Sequence, residues 1–369
     1  LEIVQAMTGD AAALIEEHPL RRFDPAYFTP SARLRSLAPG AAAEARALTF
    51  GERPVLPPLP EAEPPPDTLR LTLAQLRAWL LEPAEGFARA RLGLRGEEED
   101  EAALDQEPVV AGDSDAARLE REILAARLSG GHPMTALEAG WRDLELEGRA
   151  PLGALGAAAK HASWERIEAW MGALADGVHH IHRFGSGDQA RDMIHDALRI
   201  EASVAGRAVA VSLEGRTAFV HADHLAEVDR GRDLGTERRL ARQLGLLVDQ
   251  TALAAAGLPA PERFLIVDGG GKTAERQVAA PSPEAARARL KAWIEAMLGR
   301  GPLRRLPAGY ARTQRMMEPA DWIERQDRRR EPWSVLPGSL LRGLPAPDRE
   351  AAMRELAFRL GPLLEEDAP

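Results

Sequence analysis

The 369-residue sequence contains no cysteine and no run of 18 consecutive apolar residues. Without cysteine, disulfides, iron–sulfur clusters and thiolate zinc sites are excluded. Without a long apolar run, a transmembrane helix is excluded as well. The first ten residues lack both an initiator methionine and the basic segment of a secretory signal. We therefore expect a fragment of a longer cytoplasmic protein that makes no contact with a membrane.

Positive charge is also scarce, because 47 Lys and Arg residues face 57 Asp and Glu residues, which gives a net charge of −10. This balance argues against a free-standing nucleic-acid-binding protein. The charge is unevenly distributed, however. Residues 97–107 carry seven acids, whereas residues 284–330 carry 12 Lys or Arg against six acids. We interpret the acidic segment as a solvated loop, and the basic segment permits a DNA-facing surface.

A proline-rich segment divides the chain. Seven prolines fall within residues 54–66. A helix or an inner sheet strand cannot continue through such a run, which predicts a stiff, extended linker. Residues 1–53 have little apolar periodicity, and we interpret them as the tail of a preceding helicase-like domain. Residues 67–369 then form the main domain.

Hydrophobic spacing predicts helices first and strands later. Thr72 and Gln75 form a capping box at the start of a helix that Pro83 ends. Further helices are predicted at 84–92, 115–128, 135–146, 161–174, 237–256 and 282–298. Apolar runs predict strands at 198–204, 207–213, 217–225 and 263–267, with turns at 214–216 and 268–271. This order indicates an α/β core behind a helical N-terminal preface.

Three segments carry a family resemblance. Residues His18 to Phe28 follow the pattern H-P-L-x-x-F-x-P-x-x-F, and Ala150 to Gly156 is similar to L-P-Y-G-A-F-G. A third segment has the spacing that opens RecB-like nuclease domains, through Leu76, Trp79, Pro83, Phe87 and Leu92. In this order the segments resemble the RecC family, the gamma subunits of exodeoxyribonuclease V. The resemblance runs from about residue 10 to the C-terminus and implies a PD-(D/E)xK, restriction-endonuclease-like core.

The resemblance also identifies positions where active relatives carry metal ligands. Those relatives need a His four residues after a Gly, an Asp on one strand and Asp/Glu-x-Lys on the next. The carboxylates hold Mg²⁺, which activates water, and the Lys positions the nucleophile. By resemblance the His position is Ala116, the Asp lies near Ser212 or Leu213 with Glu214 as an approximate substitute, and the last motif falls at Ala222, Asp223 and His224. We therefore expect a degenerate nuclease core with no catalytic residue, no metal and no cofactor.

The resemblance implies another role in place of catalysis. The C-terminal part of RecC is a nuclease-like domain without activity. It binds the RecB and RecD subunits, helps to separate the strands of the duplex and leads them through internal channels. We therefore expect RecB-like and RecD-like partners, and DNA as both duplex end and separated strands, in double-strand break repair and recombination.

A basic cluster near the C-terminus is a candidate DNA-binding site. Its residues are Arg325, Arg328, Arg329 and Arg330, with Trp322 beside them. Such a cluster can contact the DNA backbone and stack on unpaired bases. The alternative is a solvated helix end whose cations complement the helix dipole.

Two other patterns suggest small-ligand sites. The segment 269–273, Gly-Gly-Gly-Lys-Thr, looks like the end of a phosphate-binding loop. It lacks the first Gly, since Ile266 stands there, and Asp268-Gly269 after an apolar strand predicts a hairpin turn instead. Histidines at positions 179, 180, 182, 195, 221 and 224 suggest a metal site. With no Cys and no H-E-x-x-H motif, we interpret them as surface or core residues.

Three functions remain open. The first is a non-catalytic DNA-guiding, strand-separating and subunit-binding domain of a RecC-like gamma subunit. The second is a metal-dependent RecB-like DNA exonuclease with a rearranged site built from Glu214, Asp223 and His224. The third is an adaptor for helicase subunits that makes no DNA contact.

Overall fold

A computed structural model describes residues 24, 27–28, 67–83, 86, 113–128, 130–174, 177–186, 192–299, 308, 310, 319, 321 and 349–364. The chain divides into two compact units, Leu1–Pro64 and Pro65–Pro369. In the first unit, the Tyr27 backbone N–H donates to the Asp24 carbonyl over 3.0 Å in a short turn. Except for Gly86, the predicted helix at 84–92 lies outside the described residues, and so does the acidic loop at 97–107.

The second unit contains seven helices among its described residues. They are α1 (Leu73–Leu81), α2 (Asp113–Leu128), α3 (Pro133–Leu146), α4 (Gly153–Ala173), α5 (Thr236–Ala255), α6 (Pro283–Leu298) and α7 (Arg349–Leu360). A short 3-10 turn, Gly361–Leu363, follows the last helix. The helices predicted for α1, α2, α3, α5 and α6 are confirmed within two residues at each end.

Side-chain caps fix the start of two helices. The Thr72 hydroxyl accepts the Gln75 N–H over 3.1 Å, and the Gln75 side chain accepts the Thr72 N–H over 2.8 Å. This is the predicted capping box, which satisfies donors that the first helical turn leaves unpaired. Ser282 caps α6 in the same manner through the Ala285 N–H. Helix α1 ends at Leu81, directly before Glu82 and Pro83.

Eight strands form one sheet. They are β1 (Thr68–Thr72), β2 (His180–Phe184), β3 (Met193–His195), β4 (Leu198–Val204), β5 (Arg207–Val220), β6 (His224–Val228), β7 (Arg263–Val267) and β8 (Thr273–Gln277). The order β3-β2-β5-β6-β7-β8 forms the main path, and β1 and β4 also pair with β5. Strands β6 and β7 are parallel and are joined through α5, which is the α/β crossover that the sequence predicts.

Strand β5 corrects one prediction. The expected turn at 214–216 does not form, and residues 207–220 are one continuous strand. Gly215 has a φ of 130°, a backbone conformation that side-chain-bearing residues rarely adopt. Up to Glu214 the strand pairs with β1 and β4, and from Gly215 onward it pairs with β2 and β6. The glycine therefore marks a change of partners, not a hairpin.

Several elements were missing from the prediction or began elsewhere. Helix α4 begins at Gly153, eight residues before the predicted start at His161. Its first turns are rich in Ala and Gly and have no apolar stripe to reveal them. Strands β1, β2, β3 and β8 and helix α7 had no predicted counterpart. Strand β2 reads His-Ile-His-Arg-Phe, in which polar residues obscure the alternation.

Both faces of the sheet are covered. On one face α1, α5 and α6 pack against β4 and β5, and on the other α2, α3 and α4 pack against β6 and β7. Strand β7 shows the division, since Phe264 and Ile266 face the first layer while Leu265 and Val267 face the second. The helical spacing of five tryptophans predicts that they lie in the core. Trp79, Trp141, Trp170 and Trp293 are buried in these layers, whereas Trp164 is half-buried and packs against the second layer. The structure is thus α/β with three layers, and none of the helices it describes is long and apolar enough to cross a membrane.

Replacing Gly215 with alanine is expected to lower the free energy of unfolding by about 1 to 3 kcal/mol, because a Cβ atom strains the backbone at this φ. The new Cβ would lie 3.4 Å from Leu73, an ordinary contact, so backbone strain dominates the cost. Denaturant unfolding of the full chain measures the change.

The matched control is Gly172→Ala. Gly172 lies within α4, and a Cβ there would meet no atom within 4 Å. Alanine favours a helix by up to about 1 kcal/mol over glycine, so this variant is expected to be as stable as the parent or more stable. Equal destabilisation by both variants would contradict the role assigned to Gly215.

Candidate functional site

The candidate site lies at the carboxyl end of β6, where an otherwise apolar strand carries charge. All five residues of β6 are buried, and Glu227 is among them. Asp229, just after the strand, is 5% exposed. A buried carboxylate is costly unless a cation or hydrogen-bond donors compensate for its lost hydration. The fold must therefore supply partners for both acids.

Arginines from two helices provide these partners. Arg121 of α2 forms an ion pair with Glu227. Arg242 of α5 donates to Glu227 over 3.2 Å and to Asp229 over 2.9 Å, so one guanidinium bridges both carboxylates. Asp229 also accepts the Gly231 backbone N–H over 2.8 Å. The two acids at the end of β6 are therefore neutralised by guanidinium groups.

A second buried acid repeats this pattern. Glu120 of α2 is fully buried and pairs with Arg166 of α4 over 2.7 Å and with Arg230 over 2.9 Å. Because Arg230 follows Asp229 directly, this pair ties the end of β6 to α2 and α4. The Trp170 indole N–H donates to the Asp268 carbonyl over 2.9 Å and closes the same corner.

A third ion pair joins α1 to α5. Asp249 of α5 is 1% exposed, binds Arg77 of α1 and accepts the Ala218 backbone N–H over 2.9 Å. Arg77 also donates to the Arg216 carbonyl over 2.8 Å, just after Gly215. The bend in β5 is thus held by the ion pair that anchors α1.

The arginines of these ion pairs and all of their acids except Glu120 line a cleft of about 840 Å³. The cleft lining contains more arginines than acids. The six arginines are Arg77, Arg121, Arg166, Arg230, Arg238 and Arg242, and the three acids are Glu227, Asp229 and Asp249. The Arg238 side chain is 65% exposed and lies 3.9 Å from Asp229. A concave surface with excess guanidinium charge attracts phosphate groups and other anions.

The structure separates the positions that the sequence assigned to lost nuclease ligands. Ala116 is buried in α2, one residue before Ala117 in the cleft wall, and Leu213 is fully buried in β5. Glu214 lies six residues before Val220, roughly 20 Å along an extended strand, so it is remote from the β5–β6 turn. Asp223 was expected on a strand, but it lies in the bend before β6, which begins at His224.

Histidines gather at this bend. His221, Asp223 and His224 offer ligand atoms within 4.8 Å of one another and could hold a metal ion. His179, which precedes β2, brings its Nε2 to 3.2 Å from the Nε2 of His224. Burial, with the neighbouring His224 and His221, lowers the pKa of His179 to about 4, so this imidazole is neutral at pH 7. Hydrogen bonds from His221 and His224 lower the pKa of Asp223 below its ordinary value.

The glycine-rich segment after β7 is a hairpin, as predicted. The Asp268 carboxylate accepts the backbone N–H groups of Gly270 over 2.8 Å and Lys272 over 2.9 Å. In a phosphate-binding loop those donors would face the phosphate. Strand β8 follows the segment where such a loop would need a helix.

The predicted basic cluster lies outside the described residues. This applies to Trp322, Arg325, Arg328, Arg329 and Arg330. The cleft residues Arg121, Glu227 and Arg242 were not singled out from the sequence. The sequence nevertheless contained one signal for the cleft, namely Glu227 within an apolar segment. A buried acid of this kind needs a cationic or hydrogen-bonding partner from elsewhere in the chain.

Replacing Arg242 with alanine is expected to lower the free energy of unfolding by about 2 kcal/mol or more. The variant leaves buried Asp229 without its close cation and Glu227 with Arg121 alone. The matched control is Arg238→Ala, which removes an exposed guanidinium and is expected to cost less than about 0.5 kcal/mol. Chemical denaturation of both variants measures the difference, and two equally small effects would show that the bridge contributes little.

The comparison with known families agrees with this architecture. A family model described as the RecC C-terminal domain matches residues 68–305. The match begins at β1, continues through α6 and covers more than half of the 369 residues. Among curated proteins, none matches this chain. The chain therefore belongs to the RecC family through its C-terminal domain.

Proposed function

We propose that this chain is the non-catalytic, DNA-guiding and subunit-binding part of a RecC-like gamma subunit of exodeoxyribonuclease V. In this role it helps to separate the strands of a duplex end during double-strand break repair and recombination. It acts in the cytoplasm, with RecB-like and RecD-like subunits as its partners. The observation that carries the proposal is the neutralisation of Glu227 and Asp229 by Arg121 and Arg242.

Ion pairing at these carboxylates supports the absence of cutting. A nuclease of this type needs carboxylates that are free to bind Mg²⁺, which activates water. Here a divalent cation would have to displace guanidinium groups from Glu227 and Asp229. It would then lie next to the displaced guanidinium groups, which carry the same sign of charge. Like charges at such short range repel strongly inside a protein, so the arginines are expected to exclude the metal.

The placement of α2 and β6 supports a degenerate PD-(D/E)xK core. By resemblance, the metal-binding His belongs to the helix that contains Ala116, and Asp/Glu-x-Lys belongs to the strand after the one that contains Leu213. In the fold these elements are α2 and β6, and they meet through Arg121 and Glu227. At the end of β6 the segment Glu227-Val228-Asp229 has an acid where that motif would have its lysine. We propose this register, shifted from Asp223 and His224, for the former active site.

The arginine excess of the cleft supports a role in DNA handling. Guanidinium groups bind phosphates without reading sequence, which suits a surface that guides any strand. The segment with Trp322 and Arg325–Arg330 is proposed as a second contact, where the aromatic ring stacks on unpaired bases.

A charge reversal at the rim of the cleft tests the DNA role. In the complex with the partner subunits, Arg238→Glu is expected to weaken binding of a duplex end about three- to tenfold at 100 mM salt and to reduce the salt dependence of binding. Fluorescence anisotropy at several salt concentrations measures both quantities. The matched control is Arg239→Glu, which makes the same charge change at an exposed neighbour outside the cleft lining.

Equal affinities for the parent and the Arg238→Glu complex would contradict DNA contact at the cleft. If reversal of Arg325, Arg328, Arg329 and Arg330 also left the affinity unchanged, the adaptor function without DNA contact would be favoured. The alternative is a metal-dependent exonuclease with a site built from Glu214, Asp223 and His224. It requires degradation of linear DNA by this chain itself, which Asp223→Ala would abolish.

A further inference from the structure

Three imidazoles and one carboxylate converge at the end of the sheet opposite the cleft end of β6. His179 lies directly before β2, whereas His221 and Asp223 lie in the turn between β5 and β6 and His224 begins β6. His179 and His224 are buried, and the His221 side chain is 20% exposed. The group is therefore built from two separate chain segments that pairing of His180 with Val220 brings together.

The ring spacing fits a single tetrahedral ion. Nitrogen ligands at about 2.1 Å from Zn²⁺ lie about 3.4 Å from each other, and the centroids of their rings lie about 5 Å apart. The centroid distances here are 5.0 Å for His179–His221, 5.2 Å for His179–His224 and 4.7 Å for His221–His224. The Nε2 atoms of His179 and His224 are 3.2 Å apart. All these distances agree with three imidazoles around one ion.

Asp223 orients two of the rings. Its Oδ1 lies within hydrogen-bond reach of the Nδ1 of His221 and, at 2.7 Å, of the Nδ1 of His224. A carboxylate on Nδ1 keeps the proton there and leaves the lone pair of Nε2 free for a metal. Arg263 contacts the same carboxylate through Oδ2 over 3.3 Å and helps to hold it in place.

Gly177 leaves the space that the His221 ring occupies. A Cβ atom on Gly177 would lie 2.3 Å from the His221 Nε2, so the ring would have to shift to accommodate any other residue there. Gly177 also has a φ of 106°, so its backbone favours glycine as well. The segment before β2 is thus shaped to approach the ring edge that carries a ligand nitrogen.

We infer that His179, His221 and His224 bind one borderline transition-metal ion of the Zn²⁺ class, and that Asp223 acts as the positioning residue. Imidazole nitrogen suits Zn²⁺, Co²⁺ and Ni²⁺, whereas Mg²⁺ and Ca²⁺ prefer oxygen ligands. The ion would link the segment before β2 to the β5–β6 turn. Its role is structural stabilisation of the sheet, which is separate from the DNA function proposed above.

The experiment uses the full chain without an affinity tag, stripped of metal and titrated with Zn²⁺ and with Co²⁺. Isothermal titration calorimetry is expected to give one ion per chain, and Co²⁺ is expected to show the visible absorption of a tetrahedral site. A Zn²⁺ concentration about 100-fold above Kd is expected to raise Tm by about 3 to 4 °C. His224→Gln and His221→Gln are expected to lose at least about 100-fold in affinity.

Asp223→Asn separates positioning from ligation. Loss of a carboxylate that orients metal-bound imidazoles typically weakens affinity about 10- to 100-fold without abolishing binding, and the Co²⁺ spectrum should keep its tetrahedral form. The matched control is His161→Gln, whose imidazole is 72% exposed on α4, and it is expected to bind as the parent does. Circular dichroism of each metal-free variant verifies that it is folded.

Two results would overturn the inference. One is the absence of stoichiometric Zn²⁺ and Co²⁺ binding by the parent chain. The other is binding that His221→Gln and His224→Gln leave as strong as in the His161→Gln control. Neither result would bear on the DNA-guiding function, because the metal titration is made without DNA and the DNA tests leave His179, His221, Asp223 and His224 unchanged.

Discussion

The continuity of strand β5 through Gly215 is the constraint on which the rest of the structure depends. The first part of the strand pairs with β1 and β4, and the second part pairs with β2 and β6. Because β6 also pairs with β7, the course of β5 determines where Glu227 and Asp229 emerge between α2 and α5. The same course brings His179 beside the β5–β6 turn. A hairpin at Gly215 would move β6 away from these positions, so neither the pairing of Glu227 and Asp229 with arginines nor the contact of His179 with the β5–β6 turn would form.

Buried charge in the cleft is balanced within the chain. Arginine keeps its proton at any physiological pH, so the cations that satisfy Glu227, Asp229 and Glu120 are permanent parts of the fold. A buried ion pair is weak evidence that the fold is stable. Removal of one partner is nevertheless destabilising, because it leaves the other charge buried with neither water nor a counter-ion. Under the proposed function, this pairing lets a nuclease-like core keep its carboxylates without binding a metal. It also leaves guanidinium groups at the rim, and the proposed DNA contact depends on them.

Local signals in the sequence predicted much of the fold. The capping box at Thr72, the apolar faces of α5 and α6 and the alternation of β4 each lie within a short segment, where periodicity is informative. The bend at Gly215 could not be predicted, because Glu-Gly-Arg resembles a turn and only strand pairing excludes one. The cleft joins partners far apart in sequence, such as Arg121 with Glu227 and Arg77 with Asp249. One sequence contains no signal that selects these pairs, although the acid within buried β6 required a partner of some kind.

Degradation of linear duplex DNA tests the central claim most directly. The chain would be assembled with its RecB-like and RecD-like partners, the RecB-like nuclease site would be disabled, and DNA would be incubated with Mg²⁺ or Mn²⁺. The account predicts no degradation, and it predicts the same result for Glu227→Gln and Asp223→Ala. Metal-dependent degradation by the parent complex that disappears in either variant would contradict it.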